Sequence, residues 1–250
     1  LVADGHANVA FFGDNTIQQG LKDIGVPPED ACNYINSSCV EITPVGGSNV
    51  WVASPYFSVC KILLEEIDAR LDAGNPPATF DDLFAGVMAR MDGTIGEAVE
   101  RQSKWRHGRR EHGRHPLQSV FTRDCIERGR DLDDGGARYN WVECSFVGLP
   151  NLVDGLHAIR REIYEDETLT LEYLRQTLAG NFENDPALRQ RLLTRHAKYG
   201  HNVDAVDALF DRVVQALRQC CSKYRVEPGG APFLPGAFCW IMHAKLGGEC

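Results

Sequence analysis

The 250-residue sequence has no Cys-x-x-Cys pair, no long apolar run and no excess of basic residues. Its nine cysteines are widely spread, which argues against a zinc ribbon or a disulfide framework and favours reduced thiols in a cytoplasmic protein. No window is apolar enough to cross a bilayer and no signal peptide opens the chain, so we expect no membrane association. The formal net charge of −9 argues against nucleic-acid binding by the chain as a whole.

The composition that is present, 43% hydrophobic and 24% charged, is that of an ordinary globular protein with one large or two small domains. Apolar residues mostly recur at helical spacing. This spacing predicts helices over residues 56–72, 80–91, 117–128, 150–163, 169–179, 185–197 and 203–224. Short apolar runs predict strands at 8–12, 141–147 and 237–242. Few strands separated by long helical excursions indicate an α/β fold.

Two conspicuous features are predicted to be structural. The stretch from Lys104 to His115 contains five Lys and Arg residues, but it lies between two predicted helices and is expected to be a solvated connector. Its three histidines do not form a rigid set of ligands, so no metal site is predicted. The neighbouring Cys220 and Cys221 fall inside a predicted helix, where consecutive side chains diverge by about 100°, which disfavours a redox pair.

Cys39 and Glu41 form the most informative pair, in the stretch Asn-Ser-Ser-Cys-Val-Glu-Ile-Thr-Pro at 36–44. In an extended segment, side chains two residues apart point to the same side. A carboxylate beside a thiol raises the thiol pKa and disfavours the thiolate, and no nearby histidine supports a Cys-His protease. Hydrogen-atom transfer from a neutral Cys39 thiol, with Glu41 as proton acceptor, is one interpretation. A plain buried cysteine is the other.

Cys39-Val40-Glu41 resembles the cysteine loop of the glycyl radical enzymes, the pyruvate formate-lyase superfamily. Other blocks similar to this family follow in the expected order: Gly-Val-Pro-Pro-Glu-Asp at 25–30, Asp-Cys-Ile-Glu-Arg-Gly-Arg-Asp at 124–131, Gly-Gly-Ala-Arg-Tyr-Asn at 135–140, and the Val-Gly-x-x-Asn-Leu-Val-Asp-Gly-Leu run at 147–156. Each block alone is weak evidence, but ordered blocks over roughly 20–165 identify the chain as similar to this family.

The resemblance implies a ten-stranded α/β barrel, built from two five-stranded half-barrels and surrounded by helices. Residues 1–250 would form part of a single barrel domain, with the cysteine loop at about 36–56. The C-terminal Arg-Val-x-Gly-Tyr loop that carries the family's radical glycine does not occur in the sequence. We therefore expect a fragment that lacks the glycine radical domain and is inactive alone.

The function implied by the resemblance is that of an oxygen-sensitive lyase or dehydratase of anaerobic metabolism. A Cys39 thiyl radical would abstract hydrogen from a small hydroxylated substrate. Glu41 would accept a proton as water, an amine or sulfite leaves. The chain would bind no cofactor. The radical would reside on a glycine outside it, installed by a radical-SAM activating enzyme, and the protein would be a cytoplasmic homodimer.

Some residues differ from the family pattern, and these differences limit which reaction the resemblance implies. Ser38 stands where the family usually has glycine, and pyruvate formate-lyase has a second cysteine, so acyl transfer loses support. Trp51 and Tyr56 fall at spacings that resemble aromatic substrate positions in an amine-eliminating branch, although structural packing is equally compatible. The alternatives are a carbon–carbon-cleaving formate C-acetyltransferase or decarboxylase of the same superfamily, and a non-catalytic truncated relative.

Overall fold

The structure, a computed structural model, describes residues 12–36, 41–51, 54–239 and 241–248. Only Phe12 of the strand predicted at 8–12 is therefore described. The first elements are α1 (Asp14–Asp23), α2 (Pro28–Ala31), β1 (Tyr34–Asn36), β2 (Ile42–Pro44), β3 (Ser48–Trp51), β4 (Tyr56–Ser58), α3 (Val59–Asp72) and α4 (Phe80–His112). They are followed by α5 (Pro116–Val120), α6 (Cys125–Arg128), β5 (Tyr139–Val147), α7 (Leu149–Ile159), α8 (Leu171–Ala179), α9 (Pro186–Thr194), α10 (Asp204–Ser222), β6 (Arg225–Val226), β7 (Ala231–Gly236) and α11 (Met242–Gly247).

The nine-residue strand β5 is the centre of the main sheet. Along one edge it pairs in parallel first with β3 and then with β4. Along the other edge it pairs in parallel with β7, which pairs antiparallel with the short β6. Strands β1 and β2 form a separate antiparallel pair. Parallel strands joined through helices confirm the α/β class.

The two faces of β5 have different environments, because successive side chains point to opposite sides of a strand. Val142, Cys144 and Phe146 are buried in the main core, which they share with α3, α4, α7 and α10. Trp141 lies in a smaller cluster on the other face, packed by residues of α1, β2 and β3. We call the first the helix face and the second the inner face of the sheet.

Helix α4 begins at a side-chain cap, since Thr79 Oγ1 accepts a hydrogen bond from the Asp82 backbone N–H at 3.1 Å. It runs for 33 residues and includes most of the basic stretch, so the prediction of a solvated connector was wrong. Arg106 is fully buried and Arg109 donates to the buried Asp133 carboxylate at 2.9 Å. Lys, Arg, Glu and Gln are good helix formers, and these contacts hold the charged end of the helix against the sheet.

The predicted helices at 56–72, 150–163, 169–179, 185–197 and 203–224 are confirmed as α3, α7, α8, α9 and α10. The helix predicted over 117–128 is instead split into α5 and α6, with Asp124 at φ 73° between them. The strand predicted at 237–242 was wrong, because the strand lies earlier, as β7. Pro235 of β7 lies beyond the part of the strand that β6 covers, and proline is tolerated at an open edge. Within the described ranges, no helix combines the length and apolarity needed to cross a membrane.

Candidate active site

The segment that holds the predicted catalytic pair connects β1 to β2. These strands pair in the register Tyr34 with Pro44 and Asn36 with Ile42, so the ends of the intervening segment are brought together. Cys39 lies outside the described residues. Glu41, next to the first residue of β2, is 6% exposed. The sequence places Cys39 two residues before this buried carboxyl group.

Glu41 has a second carboxyl group beside it, that of Glu143 in the middle of β5. Burial, and then the negative charge of Glu41, raise the pKa of Glu143 to about 7. Within the described part of the chain, the Glu143 carboxyl makes no side-chain hydrogen bond. Because Trp141 is on the inner face, the alternation of the strand puts Glu143 on that face as well. The two carboxyl groups therefore belong to one site on the inner face.

Tyr56, predicted to bind substrate, lies on the same face. It pairs with Ser145 across β4 and β5, whereas its neighbour Phe57 stacks on Phe146 in the main core with ring centroids 5.3 Å apart. Tyr56 and Ser145 thus point away from the helix face. Ser145 is fully buried, and its hydroxyl oxygen has no hydrogen-bond partner among the described residues. Tyr56, Glu143 and Ser145 together give the inner face a polar row along β4 and β5.

Trp51, the other predicted substrate-binding residue, has different neighbours. It pairs with Val142 across β3 and β5 and packs against the main core, which places it on the helix face. Its ring centroid is 4.7 Å from the Arg109 guanidinium carbon and 6.0 Å from that of Arg106. The structure therefore groups Tyr56 with Glu41 and Glu143 but not Trp51. Substrate contact by Trp51 stays a prediction.

Conspicuous residues of three similarity blocks meet at the start of β5. Asp30 accepts hydrogen bonds from the Tyr139 hydroxyl at 2.5 Å and from Arg123 at 2.9 Å. Arg138 binds Asp124 at 2.7 Å. Hydrogen bonds from Tyr139 and Arg123 lower the pKa of Asp30, while burial and the Asp30 contact raise the pKa of Tyr139 to about 12. This network fixes α2 and α6 to β5, and so determines where the strand presents Glu143.

Across the described ranges, no group of His, Cys, Asp and Glu side chains could hold a metal ion. His107 contacts the Ser103 carbonyl oxygen at 2.8 Å. His115 lies 3.0 Å from an Arg109 nitrogen. Cys220 and Cys221 are both free and buried within α10, in agreement with a structural placement.

A cleft of about 490 Å³ lies at the carboxyl ends of β4, β5 and β7, where α/β proteins usually bind ligands. Its polar lining includes Ser58, Asn151 and His243. Neither Glu41 nor Glu143 lines it. The charged groups of the candidate site are therefore on the inner face of the sheet rather than in this cleft.

Sequence reasoning missed Glu143 and Ser145. A signal was present, because a carboxylate and a hydroxyl interrupt the apolar run predicted as a buried strand at 141–147. Their spacing of two residues puts both side chains on one face of a strand. Which face that is depends on the packing of α3, α4, α7 and α10, which the sequence did not specify.

Comparisons with known proteins indicate the family of this chain. A family model described as pyruvate formate lyase-like matches residues 1–247. Trans-4-hydroxy-L-proline dehydratase of Clostridioides difficile is 27% identical over 243 residues, which cover 89% of this chain and 31% of that protein. (2S)-3-sulfopropanediol dehydratase of Klebsiella oxytoca is 24% identical over 258 residues, which cover 97% of this chain and 31% of that protein.

Among solved structures, the glycerol-bound form of the B12-independent glycerol dehydratase from Clostridium butyricum has a TM-score of 0.89 at 26% identity. The match covers 97% of this chain and 32% of that one. The chain thus spans about a third of the length of these relatives. The match of the family model over nearly the whole sequence confirms the resemblance to the glycyl radical enzymes that the motifs indicated. The chain belongs to the pyruvate formate lyase-like family.

Proposed function

We propose that this chain forms part of a glycyl radical lyase or dehydratase that eliminates a leaving group from a small hydroxylated substrate. The observation that carries the proposal is the buried Glu41, two residues from Cys39, in a chain similar to several dehydratases. Residues 1–250 belong to one barrel domain in this proposal. The parallel strands β3, β4, β5 and β7 are part of its ten-stranded wall, and the inner face lines its interior.

In the proposed reaction, a glycyl radical outside this chain, installed by a radical-SAM activating enzyme, accepts the hydrogen atom of the Cys39 thiol. The Cys39 thiyl radical then takes a hydrogen atom from the substrate carbon that bears the hydroxyl group. Glu41 accepts the hydroxyl proton, and the leaving group departs from the neighbouring carbon with the electron pair of its bond. The product radical then takes a hydrogen atom from the Cys39 thiol, which regenerates the thiyl radical. Return of a hydrogen atom from the glycine to this thiyl radical restores both the Cys39 thiol and the glycyl radical.

The environment of Glu41 suits this role. Glu41 is 6% exposed, so a substrate hydroxyl group beside it would be held largely out of water. General-base catalysis of this kind contributes about 10²–10⁴-fold to the rate. A neutral thiol is also what hydrogen-atom transfer requires, and the nearby carboxyl groups disfavour the thiolate. In this proposal Tyr56 lines the substrate space. Trp51, the last residue of β3, is proposed to lie at the edge of that space.

The test uses the full-length protein encoded by the gene, activated anaerobically by a radical-SAM activating enzyme. We expect a glycyl radical signal in the electron paramagnetic resonance spectrum and turnover of one hydroxylated compound from a panel that includes glycerol and trans-4-hydroxy-L-proline. Cys39→Ala should keep the radical and lose all turnover. Glu41→Gln should keep the radical and lose about 10²–10⁴-fold in kcat.

Glu29→Gln is the matched control, since Glu29 is exposed on α2 and should leave turnover unchanged. Failure of a competent activating enzyme to generate the radical would refute the proposal. Full activity of the Glu41→Gln variant would refute the assignment of the base. Analytical ultracentrifugation of the same protein tests the expected homodimer.

A further inference from the structure

Glu143 is not required by the proposed reaction, yet it occupies the site with Glu41. Its side chain lies along the sheet over Gly236 of β7, so closely that a Cβ atom at Gly236 would overlap Oε1 of Glu143. The position of the carboxyl group is therefore restricted by the strand beneath it. Two residues further along the same face, the Ser145 hydroxyl group is fully buried, and no described residue forms a hydrogen bond with it. An aligned carboxyl group and an unpaired hydroxyl are what a polar ligand group would bind.

No basic side chain offsets this charge within the described residues. Among the described residues, Glu41 is the charged group that raises the pKa of Glu143. At the start of β5, Arg123 binds Asp30 and Arg138 binds Asp124. This end of the strand is four residues, or ~13 Å, from Glu143. Arg106 and Arg109 lie against Trp51 on the helix face. Among the described residues, the charged groups that we place beside Glu143 on the inner face are carboxyl groups.

We propose that Glu143 is a specificity-determining residue that selects a substrate with an ammonium group close to the hydroxyl group on which Glu41 acts. This inference rests on the proposed function, because it assumes that the substrate binds at Glu41. The ammonium group would lie against the Glu143 carboxylate and the Ser145 hydroxyl oxygen. An anionic substrate of the same size would face the carboxyl groups of Glu41 and Glu143, and would be rejected.

The ionisation of Glu143 gives this proposal a pH signature. With a pKa of about 7, Glu143 is roughly half protonated at neutral pH in the absence of a ligand. A bound ammonium group favours the ionised carboxylate, so binding should release a proton. Affinity for a cationic ligand should therefore rise between pH 6 and pH 8. The charged group that faces Glu143 among the described residues is Glu41, whose negative charge contributes to the raised pKa of Glu143.

Calorimetric binding to the full-length protein, without radical activation, tests the inference with three compounds of matched size: 3-amino-1,2-propanediol, glycerol and glycerate. The amine should bind at least 10-fold more tightly than glycerol at pH 8, and glycerate should bind most weakly. The preference for the amine should fall at least 5-fold at pH 6. Repeating the titration in buffers of different ionisation enthalpy should reveal proton release on amine binding.

Glu143→Gln should remove the preference for the amine and its pH dependence, and leave glycerol affinity within about 2-fold. Glu143→Asp, which restores the carboxylate, should retain the preference. Glu65→Gln, at an exposed position on α3, is the control and should bind like the wild type. Three results would each overturn the inference. Glycerate could bind most tightly, the amine could show no preference (or no binding at 100 mM), or the preference could be unchanged in Glu143→Gln.

The outcome is separable from that of the proposed function, because binding needs neither Cys39 nor a radical. An amine preference that depends on Glu143 in a protein that cannot be activated would support the specificity and refute the radical chemistry. Radical-dependent turnover with no amine preference would do the reverse.

Discussion

Glu143 on β5 and Gly236 on β7 are mutually dependent, because the glutamate side chain occupies the space in which any other residue at position 236 would place its Cβ atom. That atom would also come within 2.6 Å of the Cys144 carbonyl oxygen. Gly236→Ala should therefore lower the free energy of unfolding by about 1–3 kcal/mol through overpacking. Urea denaturation followed by circular dichroism measures the change.

The matched control for this substitution is Gly93→Ala. Gly93 is exposed in the interior of α4, and an added Cβ atom there meets nothing within 4 Å. That substitution should raise the free energy of unfolding by about 0.5–1 kcal/mol, since alanine is the better helix former. A Gly236→Ala protein as stable as the wild type would contradict the close approach of Glu143. Combining it with Glu143→Ala should recover only part of the lost stability, because the overlap with the Cys144 carbonyl oxygen remains.

Glu162, in a turn of π-helix after α7, is fully buried and bonded on both carboxylate oxygens. It accepts hydrogen bonds from Thr168 at 2.5 Å and contacts His196 Nε2 at 2.8 Å, with Arg191 at 3.1 Å. Burial on its own raises the pKa of Glu162. The hydrogen bonds from Thr168 and His196 and the charge of Arg191 outweigh it, so the pKa is lowered from its ordinary value of 4.5.

This shift predicts how stability depends on pH. A carboxyl group with a lowered pKa in the folded state stabilises the protein fully above its ordinary pKa and loses this contribution as the pH falls through the lowered value. Glu162→Gln should cost about 3 kcal/mol at pH 7, and the difference from the wild type should shrink below about pH 4.5. Urea denaturation at several pH values measures it. Glu172→Gln, at an exposed position, is the control. A loss of stability in Glu162→Gln that does not change with pH would contradict the ionic explanation.

The sequence predicted the α/β class, most of the helices and the central strand β5, because these depend on apolar spacing along continuous segments. It did not predict β3, β4 or the position of β7. Strands β3, β4 and β7 are four, three and six residues long, which is too short for a periodic pattern, and β7 contains two prolines. Their existence depends on pairing with β5, which is a tertiary effect.

The candidate site was predictable only in part, for the same reason. Cys39 and Glu41 are two residues apart, so local geometry was enough to link them. Glu143 joins them across more than a hundred residues of chain, through the pairing of β5 with its neighbours. Spacing alone gave Trp51 and Tyr56 the same predicted role. In the structure, Ser54 and Pro55, which lie between them in sequence, form backbone hydrogen bonds with Glu143 and Ser145 of β5. The structure therefore places the two aromatic side chains on opposite faces of the sheet.

Arg106 and Arg109, one turn apart on α4, should respond in opposite ways to the same substitution. Arg106 is fully buried, and none of its three guanidinium nitrogens has a hydrogen-bond partner among the described residues. Burial lowers its pKa. Arg106→Met keeps an apolar side chain of similar length and removes an unpaired buried charge, so it should raise the free energy of unfolding by about 1–3 kcal/mol.

Arg109→Met provides the comparison, because Arg109 binds the fully buried Asp133 carboxylate at 2.8 Å. Its loss leaves a buried charge without its main partner and should lower the free energy of unfolding by about 2–3 kcal/mol. Thermal and urea denaturation of the two variants side by side measures the contrast. A loss of stability in Arg106→Met as large as that in Arg109→Met would mean that the Arg106 guanidinium has a stabilising role.

The described thiols should differ sharply in reactivity, and this difference tests the structural interpretation of Cys220 and Cys221. Cys32 is exposed, whereas Cys144, Cys220 and Cys221 are buried. Burial, and then its contact with Cys221, raise the pKa of Cys144, and burial likewise raises the pKa of Cys220. Because the thiolate is the reactive form, iodoacetamide at pH 8 should modify Cys32 at least 100-fold faster than these three in the native protein. Mass spectrometry of the peptides measures the modification rate of each cysteine. In urea, where the protein is unfolded, the four rates should be equal, which gives the reference. Rapid native modification of Cys220 or Cys221, or a disulfide between them under mild oxidation, would instead favour a redox role for the pair.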